Sequence, residues 1–396
     1  MTALRRRRTP SRRCGRTVFV DGTIPGETVV CRPADDEGSW ATAELLEVLA
    51  ASPDRVTPVC AFHGRCGGCN LQHMSHSAQV AAKTAVLVDA FARIGGLTAP
   101  APEVSFGEPW GYRNRMQFHA IRDPRPFPGT AGRGPKRATA HLDAFFGLKA
   151  RNSGDVIPVS DCPVADSGIR ALLAAGQKEA AGVLVSPGKD RVTVYSRDGL
   201  LLSEAGTMRG KTKVLEKSLA IDASVFFQSN GAMLERLVAD LLGIAEALDP
   251  AIRALPMADL YCGIGTFAAF LGGLFPRVDL VEENKAALAL ARENLARHGS
   301  TGFHARCAGD WAKGSDLGGY GFAVADPPRQ GLEPLLADRL VKRGPAVLAY
   351  VSCDPATLAR DGGILAAAYD LADLRLYDFY PQTSHIESLA VFVRRR

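Results

Sequence analysis

No apolar run in this 396-residue chain reaches the ~18 residues that a bilayer-spanning helix requires. The arginine-rich start also lacks the apolar segment of a secretory signal, so a cytoplasmic address without membrane contact is expected. No internal repeat is present, which removes stacked-repeat architectures. The length exceeds what one hydrophobic core usually supports, and two or three domains are expected in a monomer. Nine cysteines in a reducing compartment argue against a disulfide framework and for metal or catalytic use of some of them.

Net charge is only +5, but it is unevenly spread. "LRRRRTPSRRCGR" holds seven arginines before the first acid, Asp21. Such a cluster attracts phosphate backbones and other polyanions, or serves only as a solvated tail. Residues 17–48 alternate short β-rich runs with the turn signals "DGTIPG" and "ADDEG", the pattern of a small barrel or sheet. The helical stretch "SHSAQVAAKTAVLVDAFARIGG" ends on paired glycines. Beyond it, "RDPRPFPGTAGRGPKRATA" carries five basic residues, four prolines and three glycines, and reads as a basic loop between strands.

From about residue 222, apolar runs alternate with helical patterns. The expectation is an α/β Rossmann-like unit over 222–396, with a mostly parallel seven-stranded sheet covered on both faces. Such sheets bind ligands beyond the carboxyl ends of their strands. "DLYCGIGTFAAFLG" places Asp259, Gly263 and Gly265 at one such end. Glycines let the backbone approach a ligand, and the next helix offers its first amides.

Two further absences narrow the chemistry. The third glycine of a dinucleotide loop is missing, its place held by Ala268. Acids instead follow at successive expected strand ends, Glu282, Asp310 and Asp326, which suits S-adenosylmethionine better; Glu282 has the spacing for a ribose diol. In "DPPR", Arg329 stands where amino-group methyltransferases often carry a base-stacking aromatic. That arginine suits a phosphate or carboxylate, and it argues against amino methylation.

"CAFHGRCGGC" sets Cys60, Cys66 and Cys69 at spacings suited to one metal centre, with Cys162 in "VSDCPV" as the fourth thiol. Iron–sulfur and zinc both fit that spacing. Cys353 in "YVSCDPATL" ends an apolar run on the same sheet edge, before a helix whose N-terminus can favour a thiolate. A thiolate there can add to carbon 6 of a uracil and raise the electron density at carbon 5 for methyl transfer. A base must then remove the proton from carbon 5; Glu387 in "SHIESLAVF" is the candidate and His385 the competitor.

Taken in order, "CGGCNLQH", "YRNRMQFH", "FFQSN", "DLYCGIGTF", "DPPRQGL", "YVSCDPATLARD" and "YPQTSHIE" resemble the bacterial RNA uracil-5-methyltransferase family. The resemblance implies Cys353 as nucleophile and Glu387 as proton-abstracting base. It places Gln228, Tyr261, Gly263, Glu282 and Asp326 around S-adenosylmethionine, with Asp310 toward the adenine. It implies a [4Fe-4S] cluster on Cys60, Cys66, Cys69 and Cys162, zinc being the alternative, and an RNA substrate with 23S ribosomal RNA favoured over transfer RNA. The first fifty residues resemble the later part of a TRAM domain, so an incomplete RNA-binding β-barrel is expected over 1–50. An α+β central domain with the cysteine cluster is then expected over 51–221. A cytosine-5 methyltransferase, using the same addition to carbon 6, and an inactive RNA-binding protein are the competing readings.

Overall fold

The computed structural model describes residues 9–13, 16–121, 145–184, 186 and 188–395. The expectation for the basic loop over 122–137 lies outside the described residues, as do residues 1–8 of the arginine cluster, but its Thr9–Arg13 stretch is a strand paired with Arg16–Val20 rather than a solvated tail.

An eight-stranded sheet organises the C-terminal half. Its order is Thr301–His304, Val278–Val281, Met257–Leu260, Phe322–Ala325, Val347–Ser352, Glu387–Arg394, Tyr369–Tyr377 and Glu103–Ser105. The first five strands run parallel, whereas Glu387–Arg394 is antiparallel to both of its neighbours. Period-two alternation sends Val278, Leu280, Val324 and Ala349 into one core, and Ala258, Leu260, Ala325 and Tyr350 into the other. Both faces are therefore covered, and the central strands read as continuous apolar runs.

Seven of these strands were expected, and the eighth comes from far upstream. Glu103–Ser105 pairs in parallel with Tyr369–Tyr377. Three residues carry no readable periodicity, so only the tertiary edge defines this strand. The helix His76–Ala90, capped by the Ser75 side chain, and the π turn Phe91–Gly95 bring the chain to that edge. There, a Cβ on Gly95 would stand 2.7 Å from the Ala359 carbonyl oxygen, which shows how closely this turn meets the helix Pro355–Leu365. A second correction concerns "GFHARCAGD": the strand stops at His304, and Asp310 lies in the first turn of the helix Ala308–Gly314 rather than at a strand end. Continuity of the apolar letters concealed the turn between them.

The central residues build a five-stranded antiparallel sheet: Leu200–Ser203, Arg191–Arg197, Arg115–Ile121, Phe145–Lys149 and Val156–Ile157. Its own core joins Phe118, Phe146, Val194 and Ile169 to Cys162. At the N-terminal end, Thr9–Arg13, Arg16–Val20, Trp40–Ala50 and Thr28–Asp36 form a four-stranded sheet. The barrel expected here is an open sheet among the described residues, because the two outer strands do not pair.

One buried ion pair fastens the upstream helix to the large sheet. Lys83 is fully buried, and its Nζ donates to Asp378 Oδ1 at 2.6 Å and to the Tyr380 carbonyl at 3.0 Å. His76 Nε2 lies 2.7 Å from Asp378 Oδ2. Burial alone would raise the Asp378 carboxyl, but His76 and Lys83 hold it below its ordinary value. Removing one partner leaves a buried charge uncompensated. Lys83→Met is therefore expected to destabilise the fold by about 3 kcal/mol, read as a lower urea midpoint for loss of the native signal; an unchanged midpoint would refute this role.

Candidate active site

The carboxyl ends of the parallel strands border one cavity of about 1730 Å³. On one wall the chain leaves Met257–Leu260 through Tyr261, which takes a left-handed φ of 61°. It then turns into the helix Thr266–Leu271 at Gly265, where φ is 77° and a Cβ would meet Leu295 Cδ1 at 2.8 Å. Asp259 does not line the cavity. It accepts the Ala268 amide at 3.0 Å from beneath, which ties strand to helix, and burial pushes its carboxyl up to about 7.

Glu282 ends the neighbouring strand. Its two oxygens accept the amides of Gly263 at 3.0 Å and Asn284 at 2.7 Å, so the carboxylate is fixed from both sides. Each oxygen keeps a further lone pair for a ligand hydroxyl. Gln228 faces the same cavity with a buried Oε1 that has no hydrogen-bond partner among the described residues. Tyr261 Oη donates to Glu333 Oε1 at 3.5 Å, and Glu333 Oε2 accepts the Gly309 amide at 2.8 Å. Asp310 is not brought to this wall: it is exposed and its Oδ1 pairs with Lys313 Nζ at 2.6 Å.

The opposite rim holds Cys353, Glu387 and Asp326, the residues expected to react. Ser352 pairs with Ser388 across two antiparallel strands, and Ser388 Oγ donates to the Ser352 carbonyl at 3.2 Å. Continuing that register by one residue sets Cys353 and Glu387 side by side. Asp326 ends the strand Phe322–Ala325 and faces the same cavity, with Arg329 and His385 at its mouth. An Arg329 guanidinium nitrogen lies 3.3 Å from His385 Nδ1, and since arginine only donates, this ring nitrogen is the acceptor.

Burial governs the charges on this rim. It pushes the Cys353 thiol up to about 12, and the neighbouring Glu387 and Asp326 add to the effect while Arg329 opposes it. Glu387 lies well above its ordinary range through burial and then the Asp326 charge. Burial brings Asp326 up to about 7. The expected stabilisation of a thiolate by the following helix is not seen, because Asp354 Oδ1 already accepts the Ala356 and Thr357 amides, each at 3.0 Å. The protein alone therefore favours a neutral thiol beside a protonated Glu387, with Asp326 poised near neutrality, an arrangement that an approaching cation would ionise.

Sequence reasoning gave no role to Arg113 and Arg115, which line the same cavity. Their signal was present in "YRNRMQFH", where both basic side chains flank Asn114. The Arg115 guanidinium lies 5.7 Å from the exposed Phe226 ring, so a cationic and aromatic surface borders the cavity.

Cys60, Cys66, Cys69 and Cys162, from three separate turns, border a second, small cavity together with Phe62 and Gln72. The Phe62 amide donates to Cys60 Sγ and the Gly68 amide to Cys66 Sγ, each at 3.4 Å. Burial pushes Cys69 up to about 11 and Cys162 up to about 12. Among the described residues, no group of three or more His, Cys, Asp or Glu side chains stands close enough to hold one metal ion.

Comparisons with known proteins cover the whole of this architecture. The family described as tRNA (Uracil-5-)-methyltransferase matches residues 310–396, and the methyltransferase small domain matches residues 243–350. A Shewanella protein named 23S rRNA (uracil(1939)-C(5))-methyltransferase RlmD is 30% identical, over 96% of this chain and 91% of its own length. The protein of the same name from Xanthomonas euvesicatoria is 31% identical, over 96% of this chain and 92% of its own. The crystal structure of Pyrococcus abyssi tRNA (uracil-54, C5)-methyltransferase, solved with S-adenosyl-L-homocysteine, shares the fold at a TM-score of 0.70 and 20% identity, over 95% of each chain. With full-length relatives at this identity and the C-terminal strands matched to the family itself, the chain belongs to the RNA uracil-5-methyltransferase family.

Proposed function

We propose that the protein methylates carbon 5 of a uridine in RNA with S-adenosylmethionine, through a temporary bond between Cys353 Sγ and carbon 6 of the ring. One observation carries this reading: Cys353, Glu387 and Asp326 end neighbouring strands on the cavity that the glycine loop also borders.

S-adenosylmethionine supplies an electrophilic methyl group on a sulfonium. Glu282 has free lone pairs for the ribose diol, Gln228 an orphaned buried oxygen for a donor group, and Tyr261 and Gly263 complete that wall. Asp310, paired with Lys313 outside the cavity, is left out of the set. A positive charge beside Asp326 and Glu387 lowers the proton affinity of both carboxyls. Asp326, ionised by that charge, receives the thiol proton. Cys353 Sγ bonds to carbon 6, and the electron pair of the ring double bond moves to carbon 5 and its carbonyl. Carbon 5 takes the methyl group as the sulfonium–methyl bond breaks, its electron pair remaining on the donor sulfur as a neutral thioether; Glu387 removes the proton from carbon 5, the double bond returns and the bond to Cys353 Sγ breaks. The target base must leave its stack, because the thiol approaches the ring face.

Ribosomal RNA is favoured as the substrate, since the full-length relatives of 30% and 31% identity are named for 23S rRNA, whereas the tRNA enzyme is only 20% identical. The cysteine site suits an iron–sulfur cluster better than zinc. Four zinc-bound sulfurs at ~2.3 Å from one ion must nearly touch, whereas each thiolate of a four-iron cluster binds a different iron. Cys60, Cys66, Cys69 and Cys162 are the residues that would hold it, and it would supply structure rather than redox chemistry to a reaction that needs no electron transfer.

Incubation with 5-fluorouridine RNA and S-adenosylmethionine is expected to yield a stable covalent complex, because fluorine cannot leave as a proton does. Cys353→Ala should give none; an equal yield from that variant would sink the mechanism. On ordinary uridine RNA, Glu387→Gln should accumulate the same adduct while turnover falls about 100-fold or more. His385→Ala should keep turning over, and the reverse pattern would transfer the base role to His385. A cytidine oligonucleotide assayed in parallel should remain unmethylated.

Binding of the methyl donor should tighten as pH rises through about 7, the value to which burial brings Asp326. Only the ionised carboxylate attracts a sulfonium, so binding near neutrality releases protons. Calorimetry in two buffers of different ionisation enthalpy measures that release, and proton uptake would contradict it. Protein purified without oxygen should be brown with broad visible absorbance, and Cys162→Ser should lose that colour; a colourless, zinc-loaded protein would reverse the cofactor assignment.

A further inference from the structure

The segment Tyr380 to Glu387 carries both His385 and Glu387, yet most of it belongs to no strand. Its middle is held in an unfavourable backbone state, with Gln382 at a φ of 68° and buried. A buried non-glycine residue in the left-handed region needs outside contacts to keep it there. Those contacts come from the loop that leaves the cysteine pair and from the helix after it.

Asn70, the residue after Cys69, meets Ser384 with both amide atoms. Its Oδ1 accepts the Ser384 amide at 3.0 Å, and its Nδ2 donates to Ser384 Oγ at 3.1 Å. The backbone amides of Asn70 and Leu71 both donate to the Gln382 carbonyl at 3.0 Å. Gln79, fully buried, accepts the Gln382 amide on its Oε1 at 2.8 Å and donates from its Nε2 to Gln382 Oε1 at 3.0 Å. The same Nε2 donates to the carbonyls of Leu71 and Met74, so one side chain staples the upstream loop to the downstream segment. These bonds link residues more than 300 positions apart. They give the Gln382 and Ser384 amides the partners that a strand ladder would otherwise supply.

We infer that Asn70 and Gln79 are positioning residues for the proton-abstraction step, latching the segment that delivers Glu387 to the loop that carries Cys66 and Cys69. The inference rests on the proposed uridine chemistry for its kinetic consequence. Its structural content stands apart from it. Neither residue lines the catalytic cavity, and the donor wall of Gln228, Tyr261 and Glu282 belongs to other elements. Loosening the latch therefore displaces the base without touching the donor site. It slows release of the adduct rather than its formation. The cysteine site is coupled to catalysis by the same bonds, since whatever orders its loop also orders Asn70.

The test uses the full chain with Asn70→Ala and Asn70→Asp. Asparagine and aspartate both offer an acceptor to the Ser384 amide, while alanine does not. With Asn70→Ala, kcat should fall on the order of 10-fold or more, since small misplacements of a catalytic group cost that much or more. KM for the methyl donor should stay within about twofold, and covalent adduct should build up on ordinary uridine RNA. Hydrogen exchange at the Gln382 and Ser384 amides should quicken, with Tyr261 to Gly265 unchanged. Asn70→Asp should restore most of kcat and of the exchange protection. A kcat within about twofold of wild type for Asn70→Ala, a kcat loss matched by equal loss of donor binding, or equal damage from aspartate would overturn the inference. Should the wild-type protein trap no adduct on 5-fluorouridine RNA, the uridine chemistry fails instead, and unchanged exchange in Asn70→Ala would then remove the latch on its own.

Discussion

The pairing of Ser352 with Ser388 sets the geometry on which the rest depends. It is a backbone register, reinforced by the hydroxyl of Ser388 on the Ser352 carbonyl. Side chains in a strand alternate faces, so a slip of one residue would send Cys353 and Glu387 to opposite sides of the sheet. Buried apolar residues along both strands oppose such a slip, because each would exchange one core for the other. The placement of Cys353 beside Glu387 is thus inherited from the packing of Val351 and Leu389, which do not line the cavity.

Burial on this rim works against every charge the chemistry needs. Desolvation, then Glu387 and Asp326, raises the thiol, and desolvation, then Asp326, raises Glu387. A permanently ionised cysteine would be open to oxidation and to stray electrophiles. Under the proposed chemistry the thiol would ionise only as a cation arrives, so order of binding and protection of the thiol would follow from one physical cause. Arg329 moderates that cost at the cavity mouth without cancelling it.

Much of this was legible because strand ends that lead into helices leave local marks. Gly263 and Gly265, the acids Glu282 and Asp326, and the Cys353–Asp354–Pro355 turn each sit in a short window with its own periodicity. Where the window failed, the reason was equally local. Asp310 was placed on a strand because apolar letters continue across a turn, and the helix amides beyond Cys353 were assigned to the thiol although Asp354 takes them. Glu103–Ser105 and the contacts of Asn70 and Gln79 lay beyond any window, since their partners stand some 270 to 310 positions away. Three of the four thiols were grouped by spacing and Cys162 was added for its place before a proline, but only the tertiary fold brings Cys162 to the other three.

The position of Glu387–Arg394 inside the sheet, between Val347–Ser352 and Tyr369–Tyr377, also dictates how the chain is built during synthesis. Until these residues leave the ribosome, two strand edges stay open and the three-residue strand at Glu103 has no completed edge to join. Contacts of such long sequence separation form late, because the loop-closure cost precedes their reward. The nascent chain therefore carries its central sheet before Cys353 and Glu387 meet. Their pairing is among the last events of folding, and a chain cut short before Glu387 lacks that carboxyl and the interior strand together.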